Sequence, residues 1–241
     1  MYQNIVVLTG AGISAESGLN TFRAADGLWE NHHVEDVATP EGYARNPKLV
    51  DDFYNARLEY IDENAIAPNA AHHALAKLEQ SLKGKVLVVT QNVDDLHEKA
   101  ATKNLLHMHG ELRQGRCPHS EKTFSLLQPF SENYLCDCCE PRQRIRPNIV
   151  WFGEMPFYMA QIEQALEECD LFIAIGTSGT VYPAAGFVNL ANMYGADTLN
   201  INLENPSAVN QFKVQLQGKA SELVPNMVEH ILAGKRIVDL V

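Results

Sequence analysis

An α/β architecture built on a parallel sheet is the fold class this sequence predicts, and three features carry the prediction. Short apolar runs of strand length end in small or polar residues. Segments of helical periodicity stand between them. The first run, Val6-Val7-Leu8-Thr9, opens straight into the glycine-rich turn Gly10-Ala11-Gly12-Ile13-Ser14-Ala15. That turn has the form G-x-G-x-x-A. Gly10 suits a tight turn, Gly12 lets a ligand approach the backbone, and Ala15 lets the next helix pack on the sheet. The exposed N–H groups and positive end of that helix would attract a pyrophosphate, so a Rossmann-like dinucleotide site is expected here.

The elements follow in order. Strands are expected at 5–9, 86–90, 171–175 and 198–203. A helix over 71–83 carries Leu75, Leu78 and Leu82 at helical spacing and stops at Gly84. A helix over 160–168 pairs Ile162 with Leu166. One over 183–194 starts at Pro183 and ends before Gly195, and one over 221–233 ends before Gly234. Residues 22–70 look helical or loop-like, and 112–148 are polar and cysteine-rich. Both break the alternation. The expected division is a Rossmann-like sheet domain from 1–21, 71–111 and 149–241, with a smaller inserted helical and zinc-knuckle lobe from 22–70 and 112–148. A plain dehydrogenase would reach its second strand and a ribose-binding acid about 20 residues after the glycine turn. Here the next strand waits until Val86.

Composition narrows the class. The chain has 241 residues, 46% of them apolar, enough for a substantial core. A net charge of −11 disfavours nucleic acid as a direct partner, because phosphate binding needs a basic face. No apolar stretch is long enough to span a membrane, so no membrane partner is expected. The early first strand leaves no room for a signal peptide. Four of the five cysteines crowd between Cys117 and Cys139, unlike a secreted disulfide framework. A cytoplasmic location is expected.

Several clusters carry chemistry. Strand 86–90 runs into Gln91-Asn92-Val93-Asp94-Asp95-Leu96-His97, polar residues placed at a strand's carboxyl end. Helix capping would account for one Asn or Asp there, not for Gln91, Asn92 and Asp94 together. In Leu106-His107-Met108-His109-Gly110, His109 is a candidate general base. His107 and His97 are taken as structural. Cys117, Cys136 and Cys139 fit a structural zinc knuckle, but Ser120 stands where the fourth cysteine belongs. His119 or Cys138 could substitute, or the knuckle could hold no metal.

In order along the chain come G-A-G-I-S-x-x-S-G, T-F-R, Q-N-V-D, H-G, the cysteine knuckle, G-T-S at 176–178 and N-L-E at 202–204. This ordered set resembles the sirtuins, NAD-dependent protein-lysine deacylases, and is closest to the bacterial CobB-type, class III branch. The resemblance spans essentially the whole chain. It implies that NAD is held by Gly10, Ala11, Gly12, Ser14, Ala15, Phe22 and Arg23 at the pyrophosphate and nicotinamide ribose. Gln91, Asn92, Val93 and Asp94 would line the ribose and nicotinamide pocket. Gly176, Thr177, Ser178, Asn202, Leu203, Glu204 and Ala220 would lie on the adenosine side. His109 would be the catalytic base. Val150, Phe152, Gly153 and Val181 would hold an acyl-lysine side chain of a protein substrate, with strand addition supplying affinity. Tyr54 and Arg57 match the class III Y-x-x-R signature, which implies a receptor for the distal carboxylate of a succinyl-type group. The expected activity is removal of acetyl and succinyl groups, giving nicotinamide, O-acyl-ADP-ribose and free lysine. Protein ADP-ribosylation from the same NAD site is the alternative, and a non-catalytic NAD-binding module is a third reading.

Overall fold

The computed structural model describes residues 1–20, 28–29, 31–204 and 211–240. β1 (Asn4–Thr9) leads into a single helical turn, α1 (Ala11–Ser14). A short hairpin of β2 (Leu28–Trp29) and β3 (His32–His33) precedes α2 (Val34–Val37), α3 (Pro40–Arg45) and α4 (Pro47–Glu63). Then come α5 (Ala70–Ser81), β4 (Lys85–Thr90), α6 (Leu96–Lys99) and β5 (Leu105–His107). The three strands β6 (Gly110–Arg116), β7 (Thr123–Ser125) and β8 (Arg146–Ile149) follow. The chain finishes with α7 (Met159–Glu168), β9 (Leu171–Ile175), α8 (Phe187–Met193), β10 (Asp197–Asn202), β11 (Val214–Gln217) and α9 (Ala220–Leu232).

The main sheet is parallel throughout, in the order β11-β10-β9-β1-β4-β5. The chain leaves β1 toward β4 on one side and returns to β9 on the other. The crevice beyond the carboxyl ends of β1 and β9 is therefore a topological switch point, where ligands bind in open α/β sheets. Leu75 and Leu78 of α5 and Val224, Met227 and Val228 of α9 cover one face of this sheet. Ile162 and Leu166 of α7 and Phe187 and Val188 of α8 cover the other. A third core joins α2 and α4 to the antiparallel sheet β7-β6-β8 through Val37, Val50, Phe53, Tyr54, Leu112 and Ile149. The small sheet begins at Gly110 and ends at Ile149, slightly outside the expected 112–148.

Local chemistry starts the helices. Asn46 accepts from the Leu49 N–H at 3.1 Å with Pro47 in the first turn of α4. Asn69 caps α5 through the Ala71 N–H and also donates to the Ile13 carbonyl at 2.8 Å. That second bond ties α5 to the glycine turn. The stretch 183–194 is not one helix. Ala184–Gly186 forms a 3₁₀ turn, and α8 starts only at Phe187, as suits a sequence with Gly186 at the junction. β11 was not anticipated. It is a four-residue edge strand, Val-Gln-Leu-Gln, too short and polar to stand out.

The glycine turn differs from its expected form in three ways. Gly10 has an ordinary extended backbone, φ −121°. Its need for glycine comes from close approach: a Cβ there would lie 2.8 Å from the Gly176 carbonyl, and one on Gly12 would lie 2.6 Å from the Gly176 Cα. The helix is one turn followed by a 3₁₀ turn, Ala15–Ser17, so a long helix dipole is not available. Ala15 is exposed, and Ile13 is the residue packed on the sheet. Gly12→Ala should therefore cost about 1–3 kcal/mol by forced backbone displacement. Urea unfolding measures this, and an unchanged midpoint would contradict the packing described.

Candidate active site

The carboxyl ends of β1, β4, β9 and β10 meet the small lobe around a cavity of about 790 Å³. The chain reaches this edge by pinning two turns together. Gly10 N–H donates to the Ile175 carbonyl at 3.0 Å and Gly12 N–H to the Gly176 carbonyl at 2.9 Å. Beyond β4, the Asn92 amide nitrogen donates to the Gly10 carbonyl at 3.2 Å and to Ser14 Oγ at 3.1 Å. Ser14 Oγ then donates to Asp94 Oδ2 at 3.1 Å, while Asp94 Oδ1 accepts the Leu96 N–H at 3.1 Å. Asp94 thus accepts the first N–H of α6, from the position before the N-cap Asp95, and also faces the glycine turn. Burial pushes its carboxyl pKa up, against the hydrogen bonds from Leu96 and Ser14.

His109 Nδ1 lies 3.2 Å from the Gln91 carbonyl oxygen. A carbonyl only accepts, so Nδ1 carries the hydrogen and Nε2 is left as the basic nitrogen. Burial lowers the pKa of this ring despite the Gln91 bond, which keeps it neutral near pH 7. Glycine must follow it. Gly110 has φ +86°, and a Cβ there would meet the Asn148 carbonyl at 1.9 Å. His97 is a structural residue, as expected: it is buried, its Nε2 meets Thr9 Oγ1 at 3.0 Å, and burial holds its pKa well below the usual value.

The lobe side of the cavity is braced by Arg146. Its guanidinium grips Glu154 with two bonds, 2.7 and 3.0 Å, and lies 3.3 Å from the Trp151 ring centre. Glu154 in turn accepts the Trp151 N–H at 2.8 Å. Burial would raise the Glu154 pKa, but the Arg146 bond holds it below the usual range. The Val150 N–H donates to the His109 carbonyl and the Phe152 N–H to the Ala38 carbonyl, both at 2.9 Å. Tyr54 is wholly buried, and its Oη accepts from Trp151 Nε1 at 3.0 Å. Arg57 donates to the Phe53 carbonyl at 3.1 Å, and its guanidinium sits 3.9 Å from the Phe53 ring centre.

Every expected catalytic, cofactor-binding and substrate-binding residue that the structure describes lines this one cavity, including Tyr54, Arg57, Val150, Phe152, Gly153, Val181, Leu203, Glu204 and Ala220. Phe22 and Arg23 lie outside the described residues. Asn202 donates to the Thr177 carbonyl at 2.6 Å, so its amide braces a neighbouring loop. Ser178 Oγ pairs with Thr180 Oγ1 at 2.8 Å. Sequence reasoning missed Glu16, Trp29 and Ile61, which also line the cavity. Glu16 takes the Ser221 N–H and hydroxyl at 3.0 and 2.6 Å, joining the glycine turn to α9. Trp151, within the 150–154 segment expected to wall the acyl-lysine, lines the cavity as well.

The Sir2 family model matches residues 10–183 of the chain. The chain belongs to the Sir2 family. Sirtuins use NAD, and a solved Sir2 homologue–NAD complex superposes with TM-score 0.85 at 36% identity, covering 97% of this chain and 91% of that one. A Sir2–p53 peptide–NAD⁺ complex gives TM-score 0.76 at 28% identity over 95% and 93% of the two chains. The NAD-dependent protein deacylase of Shewanella oneidensis is 63% identical over 237 residues, 98% of either chain. That of Salmonella typhimurium is 54% identical over 230 residues, 95% of this chain and 84% of its own. The cavity fits such a ligand: two glycines without Cβ, and the buried polar groups of Asn92 and Asp94 beside them. Among the described residues no helix is long and apolar enough to cross a membrane.

The sirtuin's cysteines resolve the broken knuckle. Cys117, Cys136, Cys138 and Cys139 bring their sulfurs within 4.8 Å of one another. Cys117 Sγ is 3.7 Å from Cys136 Sγ and 3.5 Å from Cys139 Sγ, and Cys138 Sγ is 3.8 Å from Cys139 Sγ. A tetrahedral zinc with Zn–S near 2.3 Å has edges of about 3.8 Å, so four sulfurs fit it. Cys138 joins the set, while His119 is exposed and outside it. Ser120 supports the cluster instead: its Oγ meets Cys138 Sγ at 3.0 Å and its N–H donates to Cys117 Sγ at 3.5 Å. Burial resists ionisation of Cys117, yet the Ser120 hydroxyl and the Ser120 and His119 amides hold its thiol below the ordinary range. Elemental analysis should find about one zinc per chain. Cys138→Ser should lose it as fully as Cys136→Ser, whereas Ser120→Ala should keep it. Full zinc in Cys138→Ser would contradict the four-sulfur arrangement.

Proposed function

We propose that this sirtuin removes both acetyl and succinyl groups from protein lysines, with Tyr54 and Arg57 as the receptor for the succinyl carboxylate. NAD-dependent protein deacylation is the activity of the chain; the acyl range and the residue roles are the proposal. The observation that carries it is the junction of Tyr54, Arg57 and His109 in one cavity. A guanidinium and a phenol make a good carboxylate receptor. Trp151 Nε1–H can only donate, so it occupies an acceptor site of Tyr54 Oη and leaves the phenol hydrogen for another partner. Burial pushes the phenol pKa up, which keeps that hydrogen in place.

NAD, as co-substrate, supplies an electrophilic ribose carbon and nicotinamide as its leaving group. The reading assigns its cradle to Gly10, Ala11, Gly12, Ser14, Ala15, Phe22 and Arg23, its central pocket to Gln91, Asn92, Val93 and Asp94, and its adenosine side to Gly176, Thr177, Ser178, Asn202, Leu203, Glu204 and Ala220. An amide oxygen is a weak nucleophile, so rate depends on holding it against the ribose carbon with water excluded. The apolar segment with Val150, Phe152 and Gly153, together with Val181, supports that task. Neutral His109, with Nε2 basic, accepts a ribose hydroxyl proton. Zinc held by Cys117, Cys136, Cys138 and Cys139 supports the fold of the lobe that carries Tyr54.

Arg57→Met should lower kcat/KM for a succinyl-lysine peptide by about 100-fold or more, since a buried carboxylate loses its charged partner. The acetyl-lysine peptide should change by less than about threefold. Initial rates of nicotinamide release on matched peptides measure both. Equal losses on the two peptides would remove Arg57 from the carboxylate role.

A further inference from the structure

The histidine two residues before His109 has its own geometry. His107 closes β5 and is buried. Its Nε2 lies 2.7 Å from Glu98 Oε1, and its Nδ1 lies 3.1 Å from the Asn92 carbonyl oxygen. A carboxylate oxygen and a carbonyl oxygen both accept. A neutral imidazole has one N–H and can satisfy only one of them, setting a lone pair against a lone pair at the other. An imidazolium satisfies both. His107 and His109 thus grip consecutive carbonyls, those of Asn92 and Gln91, in the same cofactor loop.

We propose that His107 is a positioning residue, an imidazolium clamped between the Glu98 carboxylate and the Asn92 carbonyl that holds the 91–94 loop in its working geometry. The loop needs such a hold. The Asn92 side chain reaches the Gly10 carbonyl and Ser14, and Ser14 reaches Asp94. A shift of the Asn92 backbone therefore displaces both walls of the NAD pocket.

Among the described residues, the charged or titratable groups around the ring are few. Glu98 and His97 face it from α6, Glu111 from β6 and Asp94 from the loop. Burial alone would lower the His107 pKa, but Glu98, then Glu111 and the Asn92 carbonyl, raise it above the ordinary value. The sign follows. The clamp is complete below the ordinary histidine range and is lost as pH rises through the raised pKa. On deprotonation the remaining hydrogen stays toward the Glu98 charge, and Asn92 is the partner released. NAD cleavage should therefore show an alkaline limb set by His107, separate from His109, whose lowered pKa acts on the acid side.

The test is kcat/KM for NAD, by nicotinamide release with an acetyl-lysine peptide, from about pH 6 to about pH 10. The full chain is compared with Glu98→Gln, His107→Asn and His107→Phe. Glu98→Gln should move the alkaline limb at least about half a unit lower. His107→Asn places an amide N–H where Nδ1 stood, so it should keep most of the activity and lose that limb. His107→Phe should lose about tenfold, the worth of one hydrogen bond of ordinary strength. A limb unmoved in Glu98→Gln, or retained in His107→Asn, would overturn the clamp, and these two variants decide even if His107→Phe fails to fold. The activity arm rests on the NAD-deacylase reading. Ring ¹⁵N shifts separate the two failures, because they must show His107 doubly protonated at neutral pH whatever the wild type catalyses. A neutral ring would refute the clamp alone.

Discussion

Two backbone segments touching at the midline of the sheet govern this molecule. The glycine turn after β1 rests on the turn after β9, through N–H bonds from Gly10 and Gly12 to the Ile175 and Gly176 carbonyls. No side chain fits between them, since a Cβ on any of the three glycines would strike the opposing backbone. The contact closes the floor of the crevice and fixes the height of everything above it. Asn92 hangs from the Gly10 carbonyl, Ser14 hangs from Asn92, and Asp94 receives Ser14. A polar network this buried is favourable only when each member finds a partner, and here they partner one another.

The second half of the site is suspended from the first through main-chain bonds. Val150 N–H reaches the His109 carbonyl, and Phe152 N–H reaches Ala38 in the lobe. Arg146 and Glu154 lock the turn between them against the Trp151 ring, and Trp151 reaches Tyr54 on α4. His109 and Tyr54 therefore belong to different elements yet are both bonded to the 150–151 segment. The lobe's four cysteines lie just beyond β6 and in the 136–139 turn, where a structural metal would hold the two together. In the proposed reading chemistry and specificity are thus separable: the cofactor groups come from the ends of the parallel strands, and the acyl receptor comes from an inserted helix.

Much of this was legible in the chain, for physical reasons that differ by region. Buried parallel strands are apolar on both faces, so β1, β4 and β9 stood out. β5, β7 and β11 did not, because strands of three or four residues at edges carry little pattern. In the sequence Gly12 reads as a place where a ligand can approach the backbone, and the structure adds that backbone packing against Gly176 demands glycine there. Cys138 was one of two candidates to replace the missing ligand at Ser120, and only the turn geometry at 136–139 brings its sulfur to the others. The roles of Trp151 and Glu16 depend on partners 97 and 205 residues away, which local spacing cannot reveal. His107 passed as a structural histidine because its two acceptors become visible only when β5 pairs with β4.

The most direct measurement is the mass of the products formed from NAD and a succinyl-lysine peptide. With Tyr54, Arg57 and His109 lining one cavity, the proposed deacylation has the acyl group leave the lysine and appear on ADP-ribose. The expected result is free lysine peptide, nicotinamide and O-succinyl-ADP-ribose in equal amounts. A peptide that keeps its succinyl group and gains ADP-ribose would contradict this, and would establish protein ADP-ribosylation from the same site.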